Sequence, residues 1–184
     1  KRFFSMAHDN RKANTRKAIQ EAMVTLLKSE SFDDITAIKI AKEAGISRSS
    51  FYTHYKDKFE LIDSYQQTLF NQVEYIFEKH EGSKEHAFLE IFEFLQREQL
   101  LSALISANGT REFQTFIINK VRIFINTDLQ DRFGREVALS PIEREYSSIY
   151  FAYAFFGVCQ TWIAKGKKES PRQMTNLILK LLPL

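Results

Sequence analysis

The stretch TAIKIAKEAGISRSSFYTHYKDKFEL, from Thr36 to Leu61, decides the fold prediction. It holds two short segments of helical character, Thr36 to Ala44 and Ser47 to Tyr55, with Gly45 and Ile46 between them. A glycine adopts the positive φ that a tight turn between two helices needs. Small and apolar side chains on both segments can hold the two helices at a fixed angle. The stretch therefore predicts a helix-turn-helix.

The second segment carries small polar and basic side chains that project away from this packing. They are Ser47, Arg48, Ser49, Ser50, Thr53 and His54. An arginine in this place can donate two hydrogen bonds to guanine O6 and N7, and hydroxyls can meet bases or phosphates. A capped loop with a solvated arginine would contain the same residue types, so the pattern by itself leaves both interpretations open.

The whole stretch closely resembles the DNA-binding region of TetR-family regulators. The positions typical of that family are filled here by Thr36, Ile40, Ala41, Ala44, Gly45, Ile46, Ser47, Tyr52, His54, Lys58 and Leu61. The resemblance implies a dimeric transcription regulator that binds double-stranded DNA at a near-palindromic operator. Its two recognition helices would lie about 34 Å apart, or at a larger spacing.

The resemblance also implies roles for single residues. Four would contact phosphates, namely Thr36, Tyr52, His54 and Lys58. Four would face bases, namely Arg48, Ser49, Ser50 and Thr53. Ile38 departs from the pattern because many relatives carry a basic residue there, so we expect Lys39 or Lys42 to supply that charge. An adaptor that has lost DNA binding and acts through protein contacts is the alternative interpretation.

The rest of the chain predicts an all-α fold. Its 184 residues include 17 Phe but only 6 Gly and 3 Pro, which favours long helices joined by short turns. Apolar periodicity predicts helices at 13–28, 57–79, 84–97, 99–107, 111–133, 141–164 and 171–182. Ser-Pro starts predict capping boxes at Ser140 and Ser170, and Asp57 with Glu60 predicts another.

Charge divides the chain. Residues 1–58 contain 12 Lys and Arg against 7 Asp and Glu, whereas the remainder contains 14 against 16. A basic N-terminal part facing a polyanion fits this asymmetry, although a solvated charged face gives the same count. We therefore predict a DNA-binding domain with a basic arm at 1–56 and a helical effector and dimerisation domain at 57–184. Helix 57–79 would connect the two.

The C-terminal part resembles a subgroup of the family that contains the activator of dihydroxyacetone kinase operons. The resemblance lies in 150–158, 162–166 and 170–174. Independently, 149–163 is apolar on nearly all faces, and 171–182 has an apolar stripe, so the two helices could pair with their symmetry mates in a four-helix homodimer interface. The predicted interface residues are Phe155, Cys159, Trp162, Met174, Leu177, Ile178 and Leu181. Completion of the protomer's own core is the alternative.

Aromatic side chains on several helices suggest an apolar cavity for a small-molecule effector. The predicted lining residues are Phe88, Phe92, Phe116, Tyr150, Tyr153 and Phe156, to which Phe113 and Phe124 could add. Phenylalanines at helical spacing also suit an ordinary core. The sequence leaves open whether the effector is a small ligand, a partner protein or absent.

Other classes of function find no support in the sequence. A single cysteine, Cys159, and four scattered histidines offer no metal site, and no Gly-rich phosphate loop or nucleophile motif occurs. We therefore expect no catalytic residue, no metal and no cofactor. Because no apolar run is long enough to span a membrane, we also expect a cytoplasmic protein.

Overall fold

The computed structural model describes residues 2–80, 82–131 and 139–181, with the side chains of 10–80, 82–125 and 139–181. These residues form helices and one 3-10 turn, Phe32–Asp34, and they contain no strand. The predicted all-α fold is confirmed. The helices are α1 (Arg2–Leu27), α2 (Ala37–Glu43), α3 (Arg48–Tyr52), α4 (Lys58–Lys79), α5 (Lys84–Arg97), α6 (Gln99–Ile105), α7 (Arg111–Asp131), α8 (Pro141–Ala164) and α9 (Pro171–Leu181).

The helices lie close to the predicted segments except for α1, which begins at Arg2 rather than at residue 13. An apolar stripe marks only the part of a helix that packs, and residues 2–12 contain no glycine or proline that would end it. The predicted ends at residue 133 for α7 and residue 182 for α9 lie outside the described residues.

Capping boxes open α8 and α9, as predicted. Ser140 Oγ accepts a hydrogen bond from the Glu143 N–H at 3.3 Å, and the Glu143 carboxylate accepts one from the Ser140 N–H at 2.8 Å. Hydrogen bonds from the Ser140 backbone N–H and from the Ser140 side chain to the carboxylate lower the pKa of Glu143, the backbone bond being the larger cause. Ser170 and Gln173 repeat the arrangement at 3.2 and 2.8 Å. Both helix starts are therefore fixed by local sequence.

The start of α4 forms only half of its predicted box. Asp57 Oδ1 accepts from the Glu60 N–H at 2.8 Å, but the Glu60 carboxylate accepts from the Lys56 N–H instead of the Asp57 N–H. The helix consequently begins at Lys58, one residue after the acceptor side chain.

The chain packs as two compact units. The first comprises Lys1–Phe70 with Gln99–Thr110, and the second comprises Asn71–Glu98 with Arg111–Leu184. This division differs from the predicted boundary at residue 56, because the start of α4 and the whole of α6 belong to the first unit. The Phe32 N–H donates to the Asn108 carbonyl at 2.9 Å, a contact between distant segments that local patterns cannot predict.

The first unit has a continuous apolar core. Its largest fully buried side chains are Ile19, Met23, Phe32, Ile35, Ile40, Phe51, Leu61, Leu69 and Leu104. Burying a side chain of this size stabilises the folded state by about 1.5–3 kcal/mol. Since these residues come from α1, the 3-10 turn and the residue after it, α2, α3, α4 and α6, they fix α2 and α3 against the rest of the unit.

Trp162 and Phe92 lie at the centre of the second unit. Their rings meet edge to face with centroids 5.5 Å apart, and Phe155 packs on Phe92 at 5.9 Å. Trp162 Nε1 donates to the Glu169 carbonyl at 3.0 Å, so the one polar atom of this buried side chain is satisfied. The C-terminal half of α8 is thereby held inside its own protomer.

Candidate nucleic-acid interface

The turn between α2 and α3 is built around Gly45. Its φ is +65°, in the left-handed region that favours glycine. The Gly45 N–H donates to the Lys42 carbonyl at 3.1 Å, and the Ile46 N–H donates to the Ala41 carbonyl at 3.0 Å. This pair of bonds is a Schellman motif, which ends α2 and directs the chain into α3. Gly45 therefore has the positive φ between the two helices that the sequence predicted.

Hydroxyl side chains cap both helices of the motif. Thr36 Oγ1 accepts from the Lys39 N–H at 3.3 Å at the start of α2, and Ser47 Oγ accepts from the Ser50 N–H at 3.0 Å at the start of α3. Each cap uses the oxygen as an acceptor. The hydroxyl hydrogen of Thr36 thus remains available to donate to an anion, while Ser47 Oγ also lies 3.0 Å from Ser49 Oγ.

The short helix α3 is anchored on one side by aromatic rings. Phe51 is fully buried and Tyr55 is 4% exposed, and their ring centroids lie 6.1 Å apart. Tyr52 packs edge to face on Phe51 but remains 44% exposed. Arg48 lies over the Tyr52 ring with its Cζ 5.6 Å from the centroid. The guanidinium is therefore held near the surface by a cation–π contact.

Most of the residues predicted to bind DNA lie on the exposed side of α2 and α3. Thr36, Lys39, Ser47, Arg48, Ser49, Tyr52 and Thr53 are exposed, and Ser50, His54 and Lys58 are half-buried. Thr53 Oγ1 donates to the Ser50 carbonyl at 2.6 Å, which closes the last turn of α3. The result is one polar surface with Arg48 near its start and His54 beyond its end.

Positive charge from α1 extends this surface. Burial lowers the pKa of His54, and the nearby Arg16 and Lys12 lower it further. Lys12, Arg16 and Lys17 also line a shallow open groove along α1. Counting basic residues predicted a positive N-terminal part, but only the folded chain places Lys12 and Arg16 beside the end of α3. Together with His54 they form a patch suited to an anion.

Two of the predicted DNA contacts have partners within the first unit. The Lys39 ammonium pairs with the Glu30 carboxylate and donates to the Asp34 carbonyl at 3.3 Å. Lys58 Nζ donates to the Phe32 carbonyl at 2.6 Å and lies 4.5 Å from the centroid of the Phe32 ring. Neither partner could be predicted from local sequence. Ile38, where relatives carry a basic residue, is 54% exposed and offers no charge.

Lys58 also donates to the Asp33 carbonyl at 3.0 Å, so its ammonium holds the end of the 3-10 turn. Burial lowers its pKa, against the Asp33 and Asp34 carboxylates, which raise it. We expect Lys58→Met to lower the free energy of unfolding by about 1 kcal/mol, because two carbonyls lose their donor. Urea unfolding measures this, and Lys56→Met, at an exposed lysine nearby, is the matched control.

A different result would restore the phosphate role for Lys58. If stability stayed unchanged while the affinity for all DNA sequences fell equally, and the salt slope became shallower by about one unit, the side chain would act on DNA alone.

The predicted dimer interface needs correction. Cys159, Trp162, Met174 and Ile178 are all 2–5% exposed in the protomer and belong to its own core. Phe155 is half-buried and packs on Phe88 at 5.7 Å and on Phe92. The predicted interface residues that remain exposed are Leu177 at 43% and Leu181 at 60%.

The predicted effector cavity is not assembled from the six residues proposed for it. Phe92 is fully buried and Phe156 is 8% exposed, whereas Phe88 contacts Phe155 and Phe116 contacts Phe113 at 6.3 Å. Tyr150 and Tyr153 are 70% and 61% exposed. Because α8 is apolar on nearly all faces, its sequence does not show which face is buried. The prediction therefore assigned the buried Cys159 and Trp162 to the interface and the exposed Tyr150 and Tyr153 to the cavity.

Two histidines that are scattered in sequence meet in the second unit. The rings of His80 and His86 stack with centroids 5.9 Å apart, and His80 Nε2 pairs with the Glu90 carboxylate. His86 Nδ1 lies 2.6 Å from Ser83 Oγ. Within the described ranges no three His, Cys, Asp or Glu side chains form a group that could hold a metal ion. Those ranges also contain no helix long and apolar enough to cross a bilayer.

The fold and the α2–α3 surface define a helix-turn-helix DNA-binding protein with a second helical unit. Comparison with known families agrees. Residues 19–65 match the model of bacterial regulatory proteins of the tetR family, and residues 83–183 match that of a transcriptional regulator C-terminal region. The chain belongs to the TetR family of transcriptional regulators.

Among curated relatives, an uncharacterized HTH-type transcriptional regulator, YxbF of Bacillus subtilis, is 24% identical over 176 residues. That match covers 89% of this chain but only 43% of YxbF, so the chain spans less than half the length of this relative. The nucleoid occlusion factor SlmA of Vibrio cholerae is 28% identical over 148 residues, covering 74% of this chain and 70% of SlmA. Relatives of the chain thus include a transcriptional regulator and a nucleoid occlusion factor.

The fold is shared with solved TetR-family structures. The dihydroxyacetone kinase operon activator DhaS superposes with a TM-score of 0.60 at 19% identity, covering 91% of this chain and 93% of DhaS. This likeness supports the predicted all-α fold. At this identity it describes the fold alone.

Proposed function

We propose that this regulator binds a near-palindromic operator as a homodimer, with α3 of each protomer in the major groove. The observation that carries the proposal is the α2–α3 surface, where Arg48 stands exposed over Tyr52 on a helix whose other side is fixed by Phe51. A guanidinium held in this way can donate two hydrogen bonds to a guanine. Ser49, Ser50 and Thr53 complete the set that we assign to bases.

Phosphate contacts would surround this surface. We assign them to Thr36, Tyr52 and His54, with the positive charge of Lys12 and Arg16 beside His54. Lys39 and Lys58 already donate within the first unit, so we assign them mainly to holding the 3-10 turn and the loop before α2. These contacts would position α3, while the bases supply specificity.

We further propose that the regulator is a repressor and that a small ligand or a partner protein controls its affinity for DNA. The support is α4, whose residues 58–70 belong to the first unit and 71–79 to the second. A helix shared by two units is a simple coupling element, since a shift at one end moves the other. The coupling is reciprocal, so operator DNA must weaken effector binding by the same factor as the effector weakens operator binding.

DNA binding is tested with a fluorescent duplex carrying the upstream region of the chain's own gene. If each protomer makes about three phosphate contacts, the affinity should fall about 10³-fold between 50 and 200 mM salt. Anisotropy titrations at several salt concentrations measure the slope, and a random duplex of equal length is the control.

Absence of binding to any duplex at low salt would contradict the proposal and favour the adaptor. In vitro transcription from the same region then tests the sign, since a repressor lowers the transcript level and an activator raises it. Titration of candidate effectors by calorimetry into free and operator-bound protein tests control, because equal affinities exclude a molecule as an effector.

A further inference from the structure

Ile38 presents an aliphatic side chain to solvent on α2. It is 54% exposed, whereas Ile35 and Ile40 of the same unit are fully buried. The other large apolar side chains exposed in the described part of the first unit, Tyr52 and Phe59, are aromatic rings that pack on neighbouring rings. A single exposed apolar residue is common on a protein surface, so its meaning depends on where it lies.

The position of Ile38 is at the edge of the α2–α3 surface. On α2, Ile40 and Ala41 are buried in the core, and Ile38 lies on another side of the helix, one turn before the exposed Lys42. The exposed cap residue Thr36 is two residues away in the sequence. An aliphatic side chain therefore lies between polar residues on the surface that we propose to bind DNA.

The charge next to Ile38 is held by the segment before α2. The Lys39 ammonium pairs with the Glu30 carboxylate and donates to the Asp34 carbonyl at 3.3 Å. Ile38 itself can neither donate nor accept a hydrogen bond, so it cannot bind a phosphate. A contact between this position and DNA has to be apolar.

The major groove offers one apolar group that depends on sequence. Base edges there present hydrogen-bond donors and acceptors, and thymine adds its C5-methyl group. Contact of an aliphatic side chain with this methyl group removes apolar surface of both partners from water. Sugars also have apolar atoms, but they occur at every position and carry no sequence information. The thymine methyl group is therefore the partner that fits an aliphatic residue beside a recognition helix.

We propose that Ile38 of each protomer contacts the C5-methyl group of a thymine at the edge of its half-site, and that this contact helps to select the operator. The proposal rests on the DNA binding of the proposed function and adds Ile38 to the residues assigned to bases. In a two-fold operator, this thymine recurs once in each half-site.

Removal of single methyl groups from the operator tests the contact. Footprinting on the upstream region of the chain's own gene defines the operator, and each thymine is then replaced in turn by uracil, which lacks only the C5-methyl group. At one thymine of each half-site we expect uracil to weaken binding about fourfold, and about 15-fold when both half-sites are changed, because the burial of a methyl group is lost. Anisotropy titrations measure the affinities.

The variant Ile38→Ala tests which side chain contacts the methyl group. It should bind the thymine operator at least about 15-fold more weakly than the parent, and uracil should then change its affinity by less than about twofold, since the two changes remove the same contact. Ile123→Ala is the matched control. Ile123 is 58% exposed on α7 in the second unit, so this variant should keep the full uracil effect of the parent.

A charged variant separates an apolar contact from a phosphate contact. In Ile38→Lys the methyl contact is replaced by a positive charge, so thymine and uracil operators should bind alike. The salt slope should become steeper by about two units for a dimer. Thermal unfolding should show parent stability for all three variants, because each replaced side chain is exposed. Retention of the uracil effect in Ile38→Lys would overturn the proposal, because another residue would then contact the methyl group.

Two further results would overturn the proposal and leave the proposed function intact. One is an operator in which no thymine is sensitive to uracil. The other is Ile38→Ala that weakens binding to thymine and uracil operators by equal factors, which would place Ile38 against a sugar. A parent that binds no duplex at low salt would overturn the proposed function as well, and it would leave Ile38 to a partner protein.

Discussion

Trp162→Ala is expected to lower the free energy of unfolding by about 3–5 kcal/mol, which is the usual cost of truncating a large buried aromatic residue. Trp162 is 2% exposed, packs on Phe92, and donates its indole N–H to the Glu169 carbonyl. The substitution leaves a cavity and removes the donor from a carbonyl. Urea or thermal unfolding at a fixed protein concentration measures the loss.

Tyr75→Ala is the matched control for Trp162→Ala. Tyr75 is an aromatic residue of the second unit that is 63% exposed, so its truncation should change the stability by less than about 0.5 kcal/mol. A Trp162→Ala protein with the stability of the parent but an altered oligomeric state would contradict the assignment of Trp162 to the core. It would restore the interface role that the sequence predicted.

Arg48→Ala is expected to weaken binding to the operator by about 1–3 kcal/mol, which corresponds to about 5- to 150-fold, while binding to random DNA changes much less. The reason is the place of Arg48 in the first turn of α3, exposed and held over Tyr52. Competition titrations with operator and random duplexes at one salt concentration measure the two affinities.

Arg16→Ala provides the contrast for Arg48→Ala. We assign Arg16 to the positive patch near His54, so its loss should weaken binding to both duplexes by a similar factor and make the salt slope shallower. If Arg48→Ala behaved like Arg16→Ala, with equal losses on operator and random DNA, Arg48 would contact the DNA backbone and specificity would come from Ser49, Ser50 or Thr53.

The α2–α3 motif could be predicted from sequence because its determinants are local. Gly45 provides the positive φ, Thr36 and Ser47 provide the caps, and Phe51 provides the anchor, all within one short stretch. The partners of these side chains lie within a few residues of them in the sequence, so their positions follow from the local pattern. The exposed surface that they create follows directly from these constraints.

The roles of Lys39 and Lys58 could not be predicted in the same way. Their acceptors are Glu30 and the carbonyls of the 3-10 turn, and for Lys58 these carbonyls lie 25 and 26 residues away. Backbone carbonyls carry no sequence signature, because every residue has one. A resemblance transfers a residue's place in a motif, but it does not reveal which contacts that residue makes within its own chain.

The face of α8 was the other point where sequence patterns gave too little. The helix is apolar on nearly all sides, so periodicity could not separate Trp162 and Cys159, which are buried, from Tyr150 and Tyr153, which are exposed. The tyrosine hydroxyls were the available signal, since Tyr tolerates a wet surface better than Phe does. Gly157 was a second signal in the sequence for the exposed face, because glycine is disfavoured in a helix interior and is unusual at this position.

Because α6 belongs to the first unit, the folding of that unit depends on residues far along the chain, both during synthesis and in engineered fusions. The Asn108 amide donates to the Leu27 carbonyl at 2.9 Å, and Leu104 is fully buried in the same unit. The DNA-binding unit is therefore discontinuous in sequence. During synthesis it cannot complete its folding until residue 110 has left the ribosome. A chimera that joins residues 1–70 to a foreign second domain would lack α6. It would therefore expose apolar surface of the first unit and be prone to aggregation.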